Sequence, residues 1–289
     1  MSIEIPKGIN LKVGDAKNIY AVLSPDTASA SKVSWHTTNP SVATVTGSLN
    51  KYINQSIGTV RAIAPGEAKI KASVTSYITN SAGNTVTTIE LDDSCDVTVK
   101  KVKIYLSPEN IEKGKDMPGF EFYENERTRM IELADKVSNY LIERGYDVTI
   151  GRNDAPSKEG KEYASGRVTE SNNMYDSNPN GINLHVCIHS NAGGGRGPEV
   201  YTYNDTVAEK LAQRVQDRLF ALYKTSFPNA VNRGLKVDNY TELVYTKATA
   251  IYVETAYHDH LEDAYWIINN MSSIAEAIGK GIIDYINSL

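Results

Sequence analysis

Residues 183–195 read "NLHVCIHSNAGGG". Ile182, Leu184, Val186 and Ile188 point one way, and Asn183, His185, Cys187 and His189 point the other, the alternation of a buried strand. Glycines then close the run. Two histidines four apart on a strand are separated by about 13 Å, beyond the reach of one ion, so the pair cannot act as a helical i, i+4 metal motif. His189 falls at the carboxyl end of the strand, where α/β sheets open to ligand. It is the functional candidate. His185, in mid-strand, reads as a packed core histidine.

The surrounding chain follows a strand, helix, strand grammar. "KVKIYLS" (101–107) predicts a strand, and residues 125–144 predict a helix with Met130, Ala134, Val137 and Leu141 at helical spacing before Gly145 ends it. "YDVTIG" (146–151), "EVYTY" (199–203) and "TAIYVET" (249–255) predict further strands. Val207, Leu211, Val215, Leu219 and Leu222 mark an amphipathic helix, and two more helices end the chain. Residues 101–289 therefore predict one α/β domain, a central mixed sheet flanked by helices.

Residues 1–99 are different. Short alternating runs such as "KNIYAVL", "SVATVTG" and "AKIKASVTSYI" are separated by Pro, Gly, Asn and Asp, and no helical period is sustained. This predicts an all-β sandwich. Trp35 would be its core aromatic, Asn39-Pro40 and Pro65-Gly66 its turns, and His36 a surface residue. The wording of "VSWHTTNPSVATV" and "GTVRAIAPGEAKIKASV" resembles bacterial Ig-like domains of group 2, a family of surface and wall-associated proteins that carries no chemistry of its own.

Composition narrows the partners. The 289 residues carry 30 Lys+Arg and 35 Asp+Glu; residues 1–100 hold 9 and 8 of these, which leaves the second part acidic. An acidic second part argues against nucleic acid. No run of about 18 apolar residues occurs, so no transmembrane segment is expected. The start "MSIEIPKGINL" lacks the basic and apolar regions of a secretory signal. Two cysteines, Cys95 and Cys187, suggest no disulfide framework.

Two carboxylates complete the chemical reading. Extending the apolar stripe of the 125–144 helix back one turn from Met130 places Glu126 on the inward face at the helix start. Burying it calls for a cation or a set of donors; a first-turn Glu that merely stabilises the helix dipole is the competing reading. Glu254 ends a near-continuous apolar β run, in the position of a general base or of a solvated strand end. Together His189, Glu126 and Glu254 form a constellation suited to zinc and an activated water.

At this point residues 101–289 resemble the zinc-dependent N-acetylmuramoyl-L-alanine amidases. "VCIHSNA", "GPEVYTY" and "YVETAY" match three segments of that family in order and spacing, "ENERTRMIELADKV" sits where the family has its metal-binding Glu, and "GRVTESNN" resembles its R…AN helix. The resemblance implies that His189 and Glu126 are zinc ligands and Glu254 the catalytic glutamate, in a peptidoglycan hydrolase that cleaves between N-acetylmuramic acid and L-alanine. It also implies action at the bacterial cell wall, by a phage enzyme released at lysis or a secreted protein whose signal lies outside this stretch of chain. One departure stands out. The family's first ligand is the His of a DPGHGG segment, and here, in "LSPENIEKG", Asn110 occupies its position. Asn is a poor zinc ligand. Glu109 or Asn110 completing a weaker site, substitution by His258, and loss of the metal are the competing accounts. The last would leave a non-catalytic wall-binding protein on a degenerate amidase fold.

Overall fold

Alternation in the first part of the chain gives eight strands: β1 (Ser2–Glu4), β2 (Gly8–Lys12), β3 (Ala16–Ser24), β4 (Val33–Thr37), β5 (Ala43–Asn50), β6 (Gln55–Ala62), β7 (Gly66–Thr79) and β8 (Thr85–Lys100). The computed structural model describes residues 2–24, 33–50, 55–79, 85–109, 120–151 and 161–289. The eight strands form two four-stranded sheets, in the orders β1-β3-β6-β5 and β2-β8-β7-β4. Their inward residues, among them Ile19, Val60, Ile70 and Val97, make one buried core. Trp35 packs against that core half-buried, its indole N–H donating to Ser56 Oγ at 2.9 Å. A side chain at Gly58 would start 2.7 Å from the Trp35 ring, which explains a glycine in mid-strand. At the Asn39-Pro40 turn the Asn39 carbonyl accepts from Val42 and Ala43 at 3.1 and 3.0 Å. His36 is exposed, as read from its position beside Trp35.

The rest of the chain runs β9 (Val102–Pro108), a 3-10 turn at Glu121–Tyr123, α1 (Glu126–Ile142), β10 (Asp147–Ile150), α2 (Lys161–Asp176), β11 (Ile182–Asn191), β12 (Glu199–Thr202), α3 (Thr206–Ser226), β13 (Leu235–Val237), α4 (Thr241–Val244), β14 (Thr249–Tyr257), α5 (Leu261–Asn269) and α6 (Met271–Asn287). Six strands form one mixed sheet in the order β10-β9-β11-β14-β12-β13. β9 pairs with β10 and β11 with β14 in parallel, while β12 runs antiparallel to β14. By proximity the chain divides into two compact units, Met1–Val102 with Asn180–Ile182, and Lys103–Pro179 with Asn183–Leu289.

The pleat sorts side chains between two layers. On β14, Thr255 turns toward Met130 of α1, whose sulfur lies 4.0 Å from its hydroxyl. On β11, His185 and Cys187 turn toward Glu242 of α4. α1, α3 and α6 pack together, as do α2 and α4. The α1 stripe of Met130, Ala134, Val137 and Leu141 is fully buried. Asn125 caps that helix, its side-chain oxygen accepting from Thr128 N–H at 2.8 Å, and Gly145 closes it at φ 83°.

Candidate metal centre

Three chain segments converge at the carboxyl ends of the parallel strands. Glu109 directly follows β9, its N–H donating to the Ile188 carbonyl of β11 at 3.0 Å. Glu126 opens α1, and His189 lies near the end of β11. His189 Nδ1 sits 3.2 Å from Glu109 Oε2 and 3.4 Å from Glu126 Oε1. One donor atom from each residue lies within 4.8 Å of the others. The Ser190 N–H also donates to Glu126 Oε1 at 2.8 Å, fixing the carboxylate that the helix start delivers.

Two carboxylates facing one imidazole in a largely buried place leave excess negative charge that a divalent cation offsets. Carboxylate and imidazole are both zinc donors, so the residues present fit the ion. Burial lowers the His189 pKa, but the Glu109 and Glu126 carboxylates outweigh it and hold the imidazole well above its usual range. The Tyr252 ring stacks on His189 at 4.1 Å and limits how it can turn.

Glu254 pairs with His189 across the β11–β14 ladder. Its Oε2 is buried and has no hydrogen-bond partner among the described residues. Burial first, partly offset by His189 and reinforced by Glu126 and Glu109, pushes its carboxyl up to about 8. Directly across β12 lies Glu199, 1% exposed, which accepts from the Tyr201 and Tyr257 hydroxyls at 2.8 and 3.1 Å and pairs with Arg233. The glycine loop after His189 is fastened from the far side. Gly193 and Gly194 N–H groups both donate to Asp259 Oδ2, at 2.7 and 2.9 Å.

The structure thus brings together Glu126, His189 and Glu254 of the residues read from sequence, and of the competing candidates for the remaining ligand it places Glu109 beside them. Asn110 lies outside the described residues. His258 is buried, but its Nδ1 is engaged by Ser190 Oγ at 2.9 Å, and it stands outside the cluster of three donors. Its link to the centre runs through Ser190, whose hydroxyl also meets Tyr123 Oη at 2.9 Å. Glu109 had a signal in the sequence. Tyr105 and Ser107 on β9, and Glu109 just past its end, alternate as His185, Cys187 and His189 do on β11, and Tyr105 stacks on His185. Ser190 and Tyr252 had none beyond their neighbours.

Residues 112–284 match the family described as N-acetylmuramoyl-L-alanine amidase, and residues 5–91 match the bacterial Ig-like domain (group 2). Among solved structures, the fold is similar to the N-acetylmuramoyl-L-alanine amidase from Clostridium difficile 630, at 21% identity and a TM-score of 0.52, over 65% of this chain and 98% of that one. The catalytic domain of CwlV, an N-acetylmuramoyl-L-alanine amidase from Bacillus (Paenibacillus) polymyxa var. colistinus, is similar at 22% identity and a TM-score of 0.53, over 65% and 98%. So is the catalytic domain of the CD27L endolysin targeting Clostridia Difficile, at 23% and 0.52, over 64% and 97%. No curated protein matches the chain. The chain belongs to the N-acetylmuramoyl-L-alanine amidase family, zinc-dependent peptidoglycan hydrolases, and an Ig-like domain precedes its catalytic domain.

Proposed function

We propose that Glu109, Glu126 and His189 hold one zinc ion, and that Glu254 is the general base and acid for cleavage of the amide between muramic acid and L-alanine. The observation that carries this reading is the convergence of the three donor atoms within 4.8 Å, with Glu254 laddered against His189. When bound, zinc lowers the pKa of water toward neutrality and polarises a carbonyl oxygen. Glu254 takes the proton from the attacking water as general base. It then delivers that proton to the departing alanine nitrogen. Ser190 N–H and the Tyr252 ring keep Glu126 and His189 in place during both steps. Glu199, itself saturated by two tyrosines and Arg233, anchors the neighbouring strand.

With Glu109 in the place of the family's first imidazole, the donor set is harder and more anionic, so zinc exchanges more readily than it would with two imidazoles. The site of action is the bacterial cell wall, and the acidic catalytic part meets a sugar and peptide polymer there. Incubating the protein with purified peptidoglycan and following release of free L-alanine amines, with and without chelator, tests the activity. Competition with a chelating dye tests the ligands. Glu109→Ala weakens zinc at least as much as Glu126→Ala, whereas a large loss in Asn110→Ala with none in Glu109→Ala would assign the third ligand to Asn110.

A further inference from the structure

A second set of metal-type donors lies behind the strand end, on the same face of β11. His185 Nε2 is 2.9 Å from Glu242 Oε2 and 3.3 Å from Cys187 Sγ, and that sulfur is 3.6 Å from the same Glu242 oxygen. His185 and Cys187 are 0% exposed and Glu242 6%. A sulfur so enclosed cannot serve as a nucleophile toward a polymeric substrate. As a metal-free set, Glu242 Oε2 accepts from both the Nε2–H and the Cys187 S–H, and the Nε2···Sγ contact is left without a proton of its own. All three donor atoms still point at one another. Around a tetrahedral ion with zinc's bond lengths, sulfur, nitrogen and oxygen ligands lie about 3.3–3.6 Å apart. The observed separations reach that geometry with shifts of a few tenths of an ångström.

We propose that His185, Cys187 and Glu242 form a second, buried binding site for a thiophilic divalent cation of the zinc class. The donors explain one another. Glu242 is a carboxylate carried into the interior on the four-residue helix α4, where His185 faces it, and a divalent ion shared with His185 and Cys187 offsets its charge further. Thiolate and imidazole select zinc over magnesium or calcium. Binding releases the thiol proton to solvent and ties β11 to α4. The strand-end cluster is of a different kind, two carboxylates and an imidazole with no sulfur, so the two sites can be told apart by ligand chemistry. Being closed on all sides, the buried site loads as the chain folds and releases its ion slowly.

Cobalt reads the difference, because only a thiolate ligand gives a near-ultraviolet sulfur-to-cobalt charge-transfer band. The full chain, produced in minimal medium supplied with Co2+, should show that band, and the band should survive a dialysis against chelator that empties the strand-end site. Cys187→Ser should abolish it and lower the bound metal by one ion per chain. Glu242→Gln keeps the thiol and the side-chain volume, and should lower metal retention after chelation, so a folding failure of the cysteine variant does not leave the question open. His189→Ala should leave the band intact, which separates this site from the proposed catalytic one. A wild-type chain that binds Co2+ with no thiolate band overturns the proposal, as does a band that persists in Cys187→Ser.

Discussion

Glu254 carries the sharpest residue-level test. Glu254→Gln keeps the shape of the side chain and removes its basicity, so metal content should survive while turnover on soluble muropeptide falls by roughly 100-fold or more. His189→Ala should lose the strand-end ion itself. Equal loss of metal in both variants would make Glu254 a ligand. A second test concerns Asp263, which is 0% exposed and accepts from the Gly197 and Tyr257 N–H groups at 2.7 and 3.1 Å and from the Tyr223 hydroxyl at 2.6 Å. Asp263→Ala leaves these donors buried without an acceptor, at about 1–3 kcal/mol each. Urea unfolding should show a loss of at least about 3 kcal/mol. At this scale the sequence was informative wherever a polar residue ended an apolar run, as His189 and Glu254 do. Glu109 was harder to single out, because it sits just beyond a strand, beside the asparagine that the family pattern marks. Glu242 was silent, since its partners lie 57 and 55 residues away.

Between elements, close approach of backbones is the most demanding contact. A side chain at Gly281 of α6 would start 2.6 Å from the Val215 Cα of α3, with main chain rather than a movable side chain in the way. Gly281→Ala should therefore force the two helices apart and cost about 1–3 kcal/mol in thermal or urea unfolding, with cleavage per folded molecule unchanged. An unaltered unfolding midpoint would mean the helices separate freely. Long periodic elements were legible: the α1 stripe, and on α3 Leu211, Val215 and Leu219, are buried as their spacing predicts, although Val207 at the start of α3 is 46% exposed. Short elements were not. β13 and α4 have three and four residues, too few to display a period. α2, with few apolar residues, was recognisable through family wording rather than through alternation.

For the whole molecule, the change of grammar and charge near residue 100 leads us to expect that residues 101–289, produced alone, fold and cleave soluble muropeptide at the rate of the full chain. The Ig-like part should then alter retention on intact walls and nothing else. A collapse of the soluble-substrate rate in the isolated catalytic part would refute that modularity. Cys95 and Cys187 are free and fully buried, and each belongs to a different compact unit. A thiol reagent can reach a buried sulfur only while its surroundings are transiently open. Once stripped of metal, the chain therefore carries one natural clock in each half: the rates at which the two sulfurs take up a mass tag report how often the sandwich and the catalytic domain breathe, separately and within one intact molecule.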